Sequence, residues 1–323
     1  MATTGTFLYL SSADIDALAL KPQEMTDAVE AAYRSLEQGG ARSVPKSGFD
    51  VTASTFFHAM PARYDDAGVI GTKWIGTALN ATKGLPHINA MIVINDIETA
   101  VVQSVMDGTI ITAVRPAAVS LTAARRLARK DSSRISFYPC GVQALAHLDY
   151  FATEFPLREV TAYSRTKATA EAFAEKARQR GFAARVVTQA REAVEGQDII
   201  ISSAPRAADL VKVLDPAWLS PGAFVSGVDL GRAWQLRDLR QIEILATDNH
   251  DQSREAAATG IIAWVGEYDA ELSQLAAGTR PGRTAPQQRA FFIHPGLGLG
   301  DVAIAALALE RAKQLGIGTR LAR

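Results

Sequence analysis

From residue 134 onward the chain alternates short, nearly unbroken apolar runs with amphipathic stretches, and this alternation limits the possible folds more than any other feature. The runs are RISFYP (134–139), REVTAYS (158–164), ARVVT (184–188), QDIIISSAP (197–205), GAFVSGVD (222–229) and IEILATD (242–248). Helix-forming segments VQALAHLDYFATEF (142–155) and KATAEAFAEKARQRG (167–181) separate the first three. Strands without polar alternation need cover on both faces, and a strand-helix-strand order gives parallel pairing. An α/β fold with a parallel sheet of at least five strands, and IEILATD as a sixth, is expected.

The preceding part reads differently. FLYL (7–10) is a short strand, followed by Ser11 and Ser12 as candidate N-caps. A helix is expected over 22–38, with Met25, Val29, Ala32, Tyr33 and Leu36 on one face and Gly39 and Gly40 ending it. Runs rich in Val, Ile, Phe and Thr between 48 and 106, broken by turn residues, predict an antiparallel sheet. Residues 109–130 then predict a helix. Pro116 is best tolerated in the first turn, so Arg115 is expected there. A final helix over 300–315 is apolar on most faces and is expected to return to this first, α+β part.

Charge narrows the ligand class. Lys plus Arg and Asp plus Glu both number 34, so there is no basic excess to attract nucleic acid or an acidic membrane. No apolar run reaches the roughly 18 residues of a membrane span, and the start lacks a basic segment followed by an apolar one, so a cytoplasmic protein is expected. The five histidines have no paired ligand spacing and Cys140 is the single cysteine, so no metal site is expected. Cys140 precedes a helix that can lower a thiol pKa, yet no partner histidine is placed beside it.

The turn after the first parallel strand is Pro139-Cys140-Gly141-Val142-Gln143-Ala144. A dinucleotide-binding turn has the form G-x-G-x-x-G/A and sets the pyrophosphate on the following helix N-terminus. Gly141 and Ala144 fit this form. Pro139 fits only if the first position needs neither an N–H nor a positive φ. At the end of the second strand, where an acid would bind the ribose 2′-hydroxyl of NAD, stand Ser164, Arg165, Thr166 and Lys167. That set favours NADP(H); the bland alternative is a polar loop in which Thr166 caps the next helix.

Seven segments in order then resemble the ornithine cyclodeaminase/mu-crystallin family along nearly the whole chain: HAMPA (58–62), GTKWIGTALNATKGLPHINAMIVIND (71–96), DGTIITAVRPAA (107–118), GVQA (141–144), YSRTKATAEAFA (163–174), SGVDLGRAWQL (226–236) and GLGLGDVAIAALALERA (296–312). The resemblance implies a Rossmann-type NAD(P)-binding domain, assigned to residues 126–304, and a substrate and dimerisation domain from residues 1–125 with 305–323. It implies a homodimer that handles small amino or imino acids. The activity expected is hydride transfer at a C=N or CH–N bond, that of an imine reductase or amino-acid dehydrogenase.

Residue by residue, the resemblance implies Asp229 and Lys73 for the chemical step, with Lys73 and Arg115 reaching the substrate carboxylate. Lys46, His58, Met60, Asn80 and His294 would contact substrate. Gly141, Val142, Gln143, Ser164, Arg165, Thr166, Ser203, Val228, Asp229 and Thr112 would contact cofactor. Departures also matter: His58 replaces the glutamate of cyclodeaminases, Lys46 an arginine, Pro116 a threonine, and His294 stands where relatives carry a lysine, aspartate or other polar residue. Two histidines can hold a second anionic group or donate protons near neutral pH, or each can simply be hydrogen-bonded in a strand. Asp301 reads as a cap of the last helix. Two alternatives stay open: a lyase releasing ammonia with tightly bound NAD+, and a non-catalytic binding protein.

Overall fold

The structure is a computed structural model and describes residues 5–52, 54–206, 210–262 and 264–323. Contacts divide the chain into two units, residues 1–115 with 296–323, and residues 116–295. The divisions fall at Arg115/Pro116 and Pro295/Gly296, against 125/126 and 304/305 expected from the sequence.

The first unit begins with β1 (Thr6–Leu10), α1 (Ser12–Ala17) and α2 (Pro22–Glu37). Ser11 caps α1, with Asp14 returning the hydrogen bond. There follow β2 (Ala41–Ser43), β3 (Ser47–Asp50), β4 (Phe56–Tyr64), β5 (Val69–Thr77), β6 (Ile88–Asp96) and β7 (Val102–Asp107). From β4 to β7 the strands pair antiparallel, as their turn-punctuated sequence predicts, whereas β1 lies parallel to β7. Register places Met60 opposite Lys73, and Lys73 opposite Ile92, on one face.

Helix α3 (Thr109–Leu127) corrects one expectation. Pro116 lies inside it and Arg115 is its seventh residue, beyond the first turn; the helix begins at Thr109, as expected, where the Asp107 carboxylate accepts the Thr109 N–H at 2.8 Å. A proline there removes one main-chain donor from the helix interior. The boundary between the two units falls at that proline.

The second unit contains β8 (Arg134–Tyr138), α4 (Val142–Phe151), β9 (Glu159–Ala162), α5 (Lys167–Gln179), β10 (Ala183–Val186), β11 (Ile199–Ser202), β12 (Phe224–Gly227), β13 (Ile244–Thr247), α6 (His250–Ala258), β14 (Ala270–Glu271), α7 (Leu272–Ala277) and β15 (Ala290–Ile293). Its sheet is parallel throughout, in the order β10-β9-β8-β11-β12-β15-β13-β14. All four residues of β11, β12, β13 and β15 are buried, as expected for strands covered on both faces. The expected sixth strand forms as β13, but β15 lies between it and β12.

The chain then returns to the first unit as α8 (Gly298–Leu315) and β16 (Thr319–Ala322), the latter antiparallel to β1. Helix α8 lies across β4, β5 and β6 and packs on α2. A side chain at Gly298 would collide with the Met60 carbonyl, so glycine lets the start of α8 rest directly on β4.

Candidate active site

In the first unit, pairing and burial bring Lys73 and Arg115 together around a residue the sequence assigned elsewhere. Asp301 is the fourth residue of α8, not its cap; the cap position is Leu297, with no side-chain bond. Its carboxylate is fully buried and lies 2.6 Å from the Lys73 ammonium and 3.4 Å from the Arg115 guanidinium. Burial pushes the Asp301 carboxyl up, but Arg115 and Lys73 outweigh it and hold it below the ordinary range. Burial brings Lys73 down to about 8, against the pull of Asp301. Gly296 has a positive φ of 83°, and a side chain there would strike Arg115. The sequence signal for Asp301 was an acid embedded in a helix apolar on most faces: such a position is buried, and a buried acid needs a cation.

The other residues expected to contact substrate are dispersed. Met60 is buried opposite Lys73, and His58 lies two residues before it on the same strand, its ring 4.8 Å from that of Phe56. Lys46 lies just before β3 and is half-buried. The Asn80 amide donates to the Pro86 carbonyl at 2.9 Å and so ties the β5–β6 loop to itself. Thr112 belongs to the first unit, in α3, and is buried.

In the second unit, the turn keeps its form despite Pro139, which follows a cis peptide bond. The Cys140 N–H donates to the Ser164 hydroxyl at 2.9 Å, fastening the turn to the segment after β9. Gly141 is the N-cap of α4 with φ −95°, and a Cβ built there meets nothing within 4 Å. The fold therefore does not require glycine at this position; the glycine leaves open the approach to the helix N-terminus, where main-chain N–H groups lack intrahelical partners. Val142 points outward, 73% exposed. Arg165 and Thr166 are exposed. Thr166 holds the N-cap position of α5 without making a capping bond and pairs with the Thr169 hydroxyl at 2.7 Å. Cys140 is buried and its thiol is pushed up to about 11, so it is not activated by the following helix.

Asp229 stands just past β12 at the carboxyl edge of the parallel sheet, where open α/β sheets bind ligands. It is 1% exposed. Its Oδ1 accepts the Ser202 hydroxyl at 3.0 Å and the Gly231 N–H at 3.1 Å, and its Oδ2 accepts the Ala204 N–H at 3.4 Å. Burial pushes the carboxyl above its ordinary range, opposed by Arg232 and these hydrogen bonds. Leu230 and Gly231 both have positive φ, 62° and 72°, which turns the chain back beneath the carboxylate. Val228 ends the approach to this turn, and the Ser203 N–H donates to the Tyr138 carbonyl at 2.7 Å, locking the end of β11 to β8.

His294, expected at the substrate, is buried just past β15, with Nε2 3.3 Å from the Ser120 hydroxyl. Ser120 also meets Ser226 at 2.8 Å and His147 Nε2 at 2.9 Å. His147 donates Nδ1–H to the Gln143 carbonyl at 2.7 Å, and burial lowers its pKa to about 4. These two histidines thus share one interior network that no spacing in the sequence announces. Among the described residues, no group of three His, Cys, Asp or Glu is arranged to hold a metal ion, and no helix is long and apolar enough to cross a membrane.

The ornithine cyclodeaminase/mu-crystallin family model matches residues 8–316. The chain belongs to this family. Among family relatives, the alanine dehydrogenase of Archaeoglobus fulgidus is 29% identical over 97% of this chain and 98% of its own. The ketimine reductase mu-crystallin of Macropus fuliginosus is 29% identical over 79% of this chain and 80% of its own. Among solved structures, the Thermococcus litoralis Δ1-pyrroline-2-carboxylate reductase in complex with NADH and L-proline superposes with a TM-score of 0.86 at 29% identity, covering 97% of this chain and 99% of that one. An archaeal alanine dehydrogenase dimer with bound NAD gives 0.88 at 28% identity, covering 98% and 99%.

Proposed function

We propose that the chain is an NADP(H)-dependent oxidoreductase acting on the C=N or CH–N bond of a small imino or amino acid. The observation that carries this reading is the pairing, on one parallel sheet, of an open helix N-terminus after β8 with a buried, hydrogen-bonded carboxyl after β12. Relatives named for pyrroline-carboxylate reduction, ketimine reduction and alanine dehydrogenation support the same bond type.

The residues present fit a nicotinamide dinucleotide. Gly141 leaves space where any Cβ would intrude, and the first-turn amides of Val142 and Gln143 would bind the pyrophosphate. When bound, the cofactor supplies or accepts the hydride. Asp229 gives a proton to the substrate nitrogen in reduction and takes it back in oxidation; its burial favours the protonated form that donation requires. Lys73, Arg115 and Asp301 sum to one positive charge at pH 7, which matches one substrate carboxylate. Arg115 is the more exposed of the two cations and would make the bidentate contact, with Lys73 supplying charge behind it.

Preference for NADP(H) rests on Arg165. The Ser164 hydroxyl already holds the Cys140 amide, so exposed Arg165 with Thr166 would meet the 2′-phosphate, and no acid stands between 160 and 170 to bind a 2′-hydroxyl. Thermal-shift titration tests this. At about 100 times its dissociation constant a ligand adds about 2.7 kcal/mol of stability, so NADPH should raise Tm more than NADH at equal concentration. Arg165→Ser should weaken NADPH roughly tenfold or more and leave NADH unchanged. The function itself is tested by following NADPH oxidation with cyclic imino acids and with α-keto acids plus amines. No turnover with any of them, together with no thermal shift, would overturn the reading.

The partner we propose is a second copy. On the face of the first sheet opposite Lys73, Phe57 and Trp74 stack at 5.9 Å, are 36% and 45% exposed, and are joined by Ile70. Phe57→Glu with Trp74→Glu should convert a dimer to a monomer in light scattering; an unchanged mass would place the interface elsewhere.

A further inference from the structure

Ser202 ends β11, and Trp234 lies in the segment after β12; both are fully buried. An indole N–H can only donate. Trp234 Nε1 donates to the Ser202 hydroxyl at 2.8 Å, so the single proton of that hydroxyl is directed to its other neighbour, Asp229 Oδ1, at 3.0 Å. The Gly231 N–H points at the same oxygen. A proton on Oδ1 would therefore face two donor hydrogens. Among the described residues, Oδ2 receives only the long Ala204 contact.

We infer that Trp234, acting through Ser202, assigns the transferable proton of Asp229 to Oδ2 and so orients the carboxyl toward the substrate nitrogen. This rests on the reading of Asp229 as the proton-transfer group. In reduction, the substrate carbon gains a C–H bond with the hydride pair from the reduced nicotinamide. The C=N π pair moves onto nitrogen. Nitrogen then takes the proton from Oδ2, whose O–H pair remains as the carboxylate. Trp234 and Ser202 touch neither substrate nor cofactor in this scheme; they are positioning residues. The charged and titratable groups facing Asp229 are the Arg232 guanidinium and, more distantly, the Tyr138 phenol.

The test is the pH profile of the hydride step, read beside a ¹³C NMR titration of the Asp229 carboxyl in the full chain. Ser202→Ala removes a donor to the ionised form. The limb on which reduction falls with rising pH should move up by about one pH unit, and the carboxyl titration with it. Ser202→Thr keeps the hydroxyl and should return both. Trp234→Phe frees the Ser202 rotor and should move both in the same direction by less. Unmoved limb and titration in a folded Ser202→Ala protein would overturn the inference, as would failure of Ser202→Thr to restore them. If Asp229→Asn turns over like the unaltered protein, the proton-transfer role itself fails, while the carboxyl titration in Ser202→Ala still reports whether Ser202 and Trp234 govern that group.

Discussion

Asp229→Asn should lower kcat by about 10²–10⁴-fold while leaving the NADPH-induced rise in Tm in place. The amide has nearly the shape of the carboxyl, and its oxygen can still accept from Ser202 and Gly231 at the Oδ1 position. What it cannot do is carry and release the proton. A change confined to kcat would show that the carboxyl acts in the transition state, whereas a change confined to KM would make it a binding group. Steady-state kinetics with the best substrate from the imine screen, beside a thermal-shift titration of the same preparation, separates these outcomes. Turnover within threefold of the unaltered protein would remove Asp229 from the mechanism.

Asp301→Ala should cost about 3–5 kcal/mol of stability, the range for deleting one partner of a buried ion pair. Lys73 and Arg115 would then face each other with no anion between them, each with most of its side chain out of water. Lys73→Met in the same chain removes one stranded cation and should recover part of the loss, giving a non-additive cycle in urea unfolding. A loss below about 1 kcal/mol would mean that water or another group reaches the cations. The pH dependence has a defined sign. The Asp301 carboxyl is held below its ordinary value of 3.8, so its contribution is present above that pH and is lost as pH falls through the lowered folded value. Lys73 runs the other way: its folded value of about 8 lies below the ordinary 10.5, so between these the unfolded chain binds more protons and stability rises with pH.

The parallel sheet was legible because its buried strands read as apolar runs bounded by turn residues, and the strand-turn-helix at Gly141 was legible despite Pro139. Strand β15 was not, since its four residues AFFI are short and merge into HPGLGLG, which reads as a loop motif. The start of α3 at Thr109 was legible, but Arg115 was placed too early in it, because Pro116 is an unusual interior residue and was read as belonging to the first turn. Lys73 and Arg115 were found through the family resemblance. Their common partner was missed: residues 73 and 301 are 228 positions apart, and local spacing cannot report a contact formed only when α8 crosses β5. The network of Ser120, His147, Ser226 and His294 was hidden for the same reason.

The first unit is assembled from both sides of the second, and this gives the molecule a timetable during synthesis. Residues 116–295 are contiguous and can close their parallel sheet as they leave the ribosome. The earlier strands cannot finish. Their sheet waits for β16 to pair with β1, and Lys73 has no counter-charge until α8 is translated more than two hundred residues later. A chain released at residue 295 would thus hold every strand of the second unit but neither α8 nor β16 of the first, making the half that gathers Lys73, Arg115 and Asp301 the last to mature.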